Sequence, residues 1–257
     1  MFYGKGVMYM LQVISPRAEE WRSIVKAIAT LIEEASFEFS PEGIKLRSMD
    51  PSHIALVNLE WPNTAFEKYV CDQQYLLTVR IEELEKVMKR AEKKDRVEIS
   101  LGEGDTLKFK LYNGYKREFT VHLIEGEEAQ TPLPKVPFTT TAKLSIKTLK
   151  KVLSDVSVVS DQVTIKSELD KLLFTGSSEL GEASIILERD SPDLLDLAVK
   201  EAAEATYSVE YLLSFVKAMS AADYVTIEFA SKMPIKLDFL LEEGGVKLQF
   251  YLAPRVE

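Results

Sequence analysis

Part of this chain is written twice, and a chain built that way must fold as two copies of one unit. Leu84, Val87, Met88, Lys89, Asp95, Val97 and Ile99 are matched by Leu212, Phe215, Val216, Lys217, Asp223, Val225 and Ile227, each pair 128 positions apart in a chain of 257 residues. In both copies the apolar spacing is that of an amphipathic helix running into a strand. A fainter echo at a spacing of 125 joins Ile24, Ala27, Ile28 and Leu31 to Leu149, Val152, Leu153 and Val156. Alternating Phe37 and Phe39 follow the first set, and Val163 and Ile165 the second. Each half is therefore expected to carry two helices.

Between the halves, Glu125 to Pro137 is acidic and then punctuated by Pro132, Pro134 and Pro137. Proline lacks a backbone donor and favours extended chain, so this stretch reads as a linker over 125–137 between domains at 1–124 and 138–257. The remainder alternates apolar and polar residues in short runs: Ile44 to Leu46, Ile54 to Leu59, Leu107 to Leu111, Glu118 to Leu123, Leu172 to Thr175, Ser184 to Leu187, Ile235 to Leu241 and Val246 to Leu252. These predict strands, with turns at Gly102-Glu103-Gly104 and Gly244-Gly245. The fold class is α+β: two similar domains of antiparallel sheet with two helices each.

Several function classes drop out. The longest apolar stretch, Leu194 to Ala205, is broken by Asp196, Lys200, Glu201 and Glu204, so no membrane span is expected. The N-terminus has no secretory-signal pattern, which predicts an intracellular, cytoplasmic protein. Cys71 is the only cysteine and His53 and His122 the only histidines, so neither a disulfide framework nor a metal site is expected, and no cofactor. No phosphate-binding loop, nucleophile elbow or zinc-protease motif occurs, and Gly102-Glu103-Gly104 lacks the third glycine of a dinucleotide fingerprint. A non-enzyme is the better expectation.

The formal charge of −9 argues against a nucleic-acid partner until its distribution is considered. Lys86, Lys89, Arg90 and Lys93 fall opposite the apolar arc of their helix, as do Lys147 and Lys151, Lys217, and Arg22 with Lys26 on theirs. Charge on an outer helical face is ordinarily just solvated. It becomes a binding surface only where all four helices line one side of the molecule.

The segment Gly43 to Leu59, which contains Leu46-Arg47-Ser48-Met49-Asp50-Pro51-Ser52-His53, resembles a strand-loop-strand of the archaeal and eukaryotic sliding clamp, the proliferating cell nuclear antigen family. Phe66 to Tyr69, Tyr211 to Lys217, Met233-Pro234-Ile235 and the ending Tyr251 to Glu257 are also similar. The likeness runs from about Met10 to the C-terminus and leaves 1–9 as an extension. It implies a closed ring of three two-domain subunits around duplex DNA, a processivity factor that tethers enzymes without catalysis of its own. The implied DNA-binding residues are Arg22, Lys86, Lys89, Lys151 and Lys217, with Ser154 where a basic residue is often found. DNA polymerase, clamp loader, flap endonuclease and DNA ligase are the implied partners, through short peptides ending in paired aromatics. Their pocket would comprise Met49, His53, Ile54, Leu56, Leu133, Pro134, Pro234, Tyr251, Ala253 and Pro254, with Thr131 replacing a more apolar residue of some members. Clamp subunits would join through edge strands bearing Arg117, Phe119 and Val121 on one side and Ala183, Ile185 and Leu187 on the other. The implied location is the nucleoid if the source is archaeal and the nucleus if it is eukaryotic. A self-sufficient trimer and a mixed ring both stay open.

Overall fold

The computed structural model describes residues 10–126, 131–219, 221–241 and 245–255. The N-terminal extension, linker positions 127–130 and the predicted turn residue Gly244 lie outside them. The first half runs β1 (Leu11–Ser15), α1 (Glu19–Ile28), β2 (Glu34–Ser40), β3 (Gly43–Met49), β4 (Ala55–Pro62), β5 (Lys68–Cys71), β6 (Tyr75–Arg80), α2 (Ile81–Arg90), β7 (Arg96–Leu101), β8 (Thr106–Asn113) and β9 (Tyr115–Ile124). The second repeats the order: β10 (Thr140–Ser145), α3 (Ile146–Val156), β11 (Gln162–Glu168), β12 (Lys171–Ser178), β13 (Gly181–Glu188), β14 (Leu194–Val199), β15 (Glu204–Ser208), α4 (Val209–Ala218), β16 (Tyr224–Phe229), β17 (Ile235–Leu241) and β18 (Val246–Leu252).

Pairing repeats as faithfully as order. The first half pairs β5-β1-β7-β8-β9 and β4-β3-β2-β6; the second pairs β14-β10-β16-β17-β18 and β13-β12-β11-β15, antiparallel throughout. Strand β18 pairs with β4 across the joint, and β6 meets β9 over two residues in the first half alone, so fourteen strands form one sheet while β13-β12-β11-β15 stays separate. Ala35 lies opposite Val79 and Val163 opposite Tyr207, so the spacing of 128 governs β2 and β6 as well. This corrects the fainter echo. Helices α1 and α3 do match at 125, but six residues separate Val156 from Val163 where three separate Leu31 from Ala35. The counterpart of Phe37 is therefore Ile165, and that of Phe39 is the buried Ser167, whose hydroxyl meets Thr140 Oγ1 at 2.6 Å.

The helices form one layer, α2 against α1, α1 against α4 and α4 against α3. Their apolar stripes press into the sheets: Leu84, Val87 and Met88 on α2, and Leu212, Phe215 and Val216 on α4, are all buried. In the second half Phe215 stacks on Phe250 at 4.2 Å. The first half has an aromatic cluster of its own under α1, with Trp21 against Trp61 at 4.5 Å and Trp61 against Phe66 at 4.8 Å. Removing one such ring costs about 3–5 kcal/mol. Glu82 and Glu83 in the first turn of α2 and Lys89 with Arg90 in the last complement the helix dipole. Among the described residues no helix is long and apolar enough to cross a membrane.

Candidate functional site

Because the four helices share one layer, their polar faces form a single surface. Lys86 and Lys89 on α2, Lys151 on α3 and Lys217 on α4 are exposed there, and Arg22 on α1 is half-buried. Lys26 joins them across the seam between halves, its Nζ donating to the Lys217 carbonyl at 3.4 Å. A groove of about 290 Å³ runs between α1 and α2, with Arg22, Lys26, Lys89 and Lys93 among its walls. Carboxylates hold several of these cations: Lys86–Glu82 at 2.6 Å, Lys89–Glu85 at 2.9 Å and Lys93–Glu19 at 2.8 Å. The Lys86 contact lowers the pKa of Glu82 and raises that of Lys86 itself. Such surface pairs contribute little to stability. Ser154 turns its hydroxyl back to the Lys150 carbonyl at 2.7 Å, so it offers this surface no charge.

A second feature lies at the end of the joint between halves. Met49 on β3 stands opposite Leu56 on β4, and Leu56 opposite Tyr251 on β18. Beyond β18 the Ala253 N–H donates to the Ile54 carbonyl at 2.8 Å, which seats Ala253 and Pro254 against the His53–Ile54 loop. Pro234 precedes β17, and the Tyr207 hydroxyl grips the neighbouring Met233 carbonyl at 2.7 Å. Leu133 and Pro134 are half-buried on the linker. Asp50 organises the loop: its carboxylate accepts from the Ile54 N–H at 2.9 Å, the Ala55 N–H at 2.7 Å and the Tyr211 hydroxyl of α4 at 3.0 Å. His53 takes a left-handed φ of 57° at the turn so formed. Burial, and next the Asp50 hydrogen bond, raise the Tyr211 pKa and keep it a donor.

The third feature is a pair of unfinished edges. Strand β13 pairs only with β12, and β9 pairs with β8 but meets β6 only at Leu123 and Ile124, so among the described residues each keeps an open side. Phe119, Ala183 and Ile185 are half-buried there, Val121 and Leu187 already buried. Arg117 turns inward, donating to Asp95 Oδ2 at 2.5 Å and to the Arg90 carbonyl at 2.7 Å. Helical periodicity places these lysines on outer helical faces, and only the shared helical layer gathers them on one surface. Periodicity also marks Lys26 and Lys93 but gives Asp50 and Arg47 no role, because their partners lie on segments distant in sequence.

A doubled chain with a cationic helical face, a sheet on the other side and an open strand edge in each half has the form of a subunit whose edges remain free to pair. Models of the proliferating cell nuclear antigen N-terminal and C-terminal domains match residues 10–126 and 132–255. The DNA polymerase sliding clamp of Nitrosopumilus maritimus is 43% identical over 241 residues, covering 93% of this chain and 96% of that one. That of Thermofilum pendens is 36% identical, covering 96% and 100%. The crystal structure of the antigen from Thermococcus kodakaraensis superposes with a TM-score of 0.91 at 27% identity, covering 95% of this chain and all of the other. The chain belongs to the proliferating cell nuclear antigen family and is a DNA sliding clamp subunit.

Proposed function

We propose that three copies of this chain close through β9 and β13 into a ring that holds duplex DNA against the helical layer and offers the Met49–Leu56–Tyr251 pocket to partner peptides. The observation that carries the reading is that the chain contains a template for its own closure. Strand β18 is the counterpart of β9 and β4 that of β13, and β18 with β4 is already paired inside the chain. Leu248 faces Leu59 and Phe250 faces Val57 in that pair. Carried to the open edges, the register sets Arg117 opposite Ile185 of the partner subunit and Phe119 opposite Ala183 of the partner subunit.

In such a ring Arg22, Lys26, Lys86, Lys89, Lys151 and Lys217 meet phosphates without reading bases, so contact is independent of sequence and permits sliding. The acidic remainder turns outward and repels DNA there. DNA polymerase, clamp loader, flap endonuclease and DNA ligase would dock through short peptides, with Leu133, Pro134, Ala253 and Pro254 completing the pocket. The linker over 125–137 would separate two clamp domains. The ring does no chemistry of its own, and its relatives' archaeal sources favour a nucleoid location. Topology supplies the test: loaded on nicked circular DNA, the protein stays bound through a high-salt wash and is released by a single linearising cut. Equal retention on circular and linear DNA would overturn encirclement.

A further inference from the structure

Four polar side chains stand in a row across the outward face of the sheet where the halves join. Arg47 on β3 lies opposite Asn58 on β4, Asn58 opposite Gln249 on β18, and Gln249 opposite Asp238 on β17. Each hands a hydrogen bond to the next: Arg47 Nε to Asn58 Oδ1 at 3.1 Å, Asn58 Nδ2 to Gln249 Oε1 at 3.1 Å, and Gln249 Nε2 to Asp238 Oδ2 at 2.8 Å. The direction is forced, because a guanidinium only donates and a carboxylate only accepts. Both amides must therefore turn their carbonyls toward Arg47 and their N–H groups toward Asp238. Asn58 Nδ2 also reaches Glu60 Oε1 at 3.3 Å; with Asn58 2% and Gln249 4% exposed, water does not replace a partner lost within the row.

The free arm of Arg47 points at the linker, its Nη1 donating to the Thr131 carbonyl at 3.3 Å. At the other end of the same stretch the Phe138 ring lies 5.3 Å from Lys236 Nζ, itself paired with Glu228. Leu133 and Pro134 are thus part of a strap pinned on both sides. The equivalent positions at the open edges are Thr175, Ser184, Glu118 and Lys110, which cannot form this row. The row belongs to the one junction that the strap crosses.

We infer that Arg47, held by the Asn58–Gln249–Asp238 row, is a positioning residue that pre-orders the linker strap for peptide binding. This rests on the pocket reading above. A strap already ordered spares the incoming peptide the entropy of fixing it, so loss of the pin weakens affinity without altering any peptide contact. Arg47 acts from outside the pocket, through the Thr131 backbone.

The test uses the assembled protein, a Gln-x-x-Leu-x-x-Phe-Phe peptide, calorimetry and amide hydrogen exchange. Arg47→Met keeps the stem and removes the donors; it should weaken peptide binding by about tenfold and speed exchange over 131–138 while β4 and β18 stay protected. Asn58→Leu with Gln249→Leu replaces the central pair by apolar groups of similar size and should give the same two changes with the fold retained. Adding Arg47→Met to that variant should do little more, since residues acting as one unit are not additive. Unchanged strap exchange and affinity in Arg47→Met, or simple addition of the two effects, overturns the inference. Leu133→Asp separates the two readings. If it abolishes binding while Arg47→Met does nothing, the pocket stands and the row fails; if it too leaves binding intact, the pocket itself is misplaced.

Discussion

The junction inside the chain and the edges left open at its ends are built on one plan and filled with different residues. Inside, Leu248, Phe250 and Leu252 of β18 and Trp61, Leu59 and Val57 of β4 are all buried. The matching positions at the edges are Arg117, Phe119 and Val121, and Leu187, Ile185 and Ala183. This equivalence follows from register, because Leu111 faces Arg117 as Phe239 faces Leu248, and Leu46 faces Leu59 as Phe174 faces Ile185. The edges thus have an arginine for a leucine, a leucine for a tryptophan and an alanine for a valine. In the proposed ring the second junction therefore buries less apolar side chain and is the weaker of the two.

Proline placed in each should show the contrast most strongly. Val57 lies in β4 with neighbours on both sides, so Val57→Pro breaks a ladder in the middle of a sheet and should leave little soluble protein. Ile185→Pro alters an edge and should yield folded monomer, with wild-type circular dichroism and a third of the assembled mass by light scattering. A fully assembled Ile185→Pro protein would remove β13 from the interface.

Arg117 sharpens the comparison. Its partner Asp95 is fully buried, and Asp95 Oδ1 and Arg117 Nε have no hydrogen-bond partner among the described residues. Arg117→Leu installs the side chain of the inner junction but strands the carboxylate, a loss of about 3–5 kcal/mol in denaturant unfolding. Adding Asp95→Asn removes the unpaired charge and should recover most of that loss. The double variant should then stay assembled at lower concentration than wild type, having acquired the apolar contact that the inner junction enjoys. If it dissociates more readily instead, Arg117 contributes to closure directly and the proposed register is wrong.

How much of this was legible beforehand depends on sequence distance. Helices showed plainly, since the apolar arc of Leu84, Val87 and Met88 is written within one turn of chain. The repeat also showed, but its strands were misaligned by two residues in the first helix-to-strand passage, where the second half has the longer connection. Short β1, β5, β6, β10, β14 and β15 are not legible in the sequence, because four to six residues seldom carry a clear alternation. The pocket residues came from resemblance alone. Nothing near Arg47 in sequence announces Thr131 or Asn58, and nothing near Asp50 announces Tyr211; such partners exist only once strands are laid side by side.

The smallest expected effect tests the surface that both halves share. Replacing Lys86, Lys89, Lys151 and Lys217 by alanine removes exposed charge from α2, α3 and α4 while leaving each apolar face intact, so assembly and unfolding should be close to wild type. What changes is the dependence of DNA retention on salt: every lysine that neutralises a phosphate contributes a slope of about −0.9 in log affinity against log salt. The contributions of the two halves need not be equal. Lys86 and Lys89 are already paired with Glu82 and Glu85, whereas no carboxylate among the described residues holds Lys151 or Lys217. A phosphate arriving at α2 must displace a carboxylate, and one arriving at α3 or α4 need not. Pairwise removal should therefore flatten the salt slope more for Lys151 with Lys217 than for Lys86 with Lys89. Equal slopes would mean that the ion pairs on α2 open at no cost, and an unchanged slope in the fourfold variant would move DNA to another face.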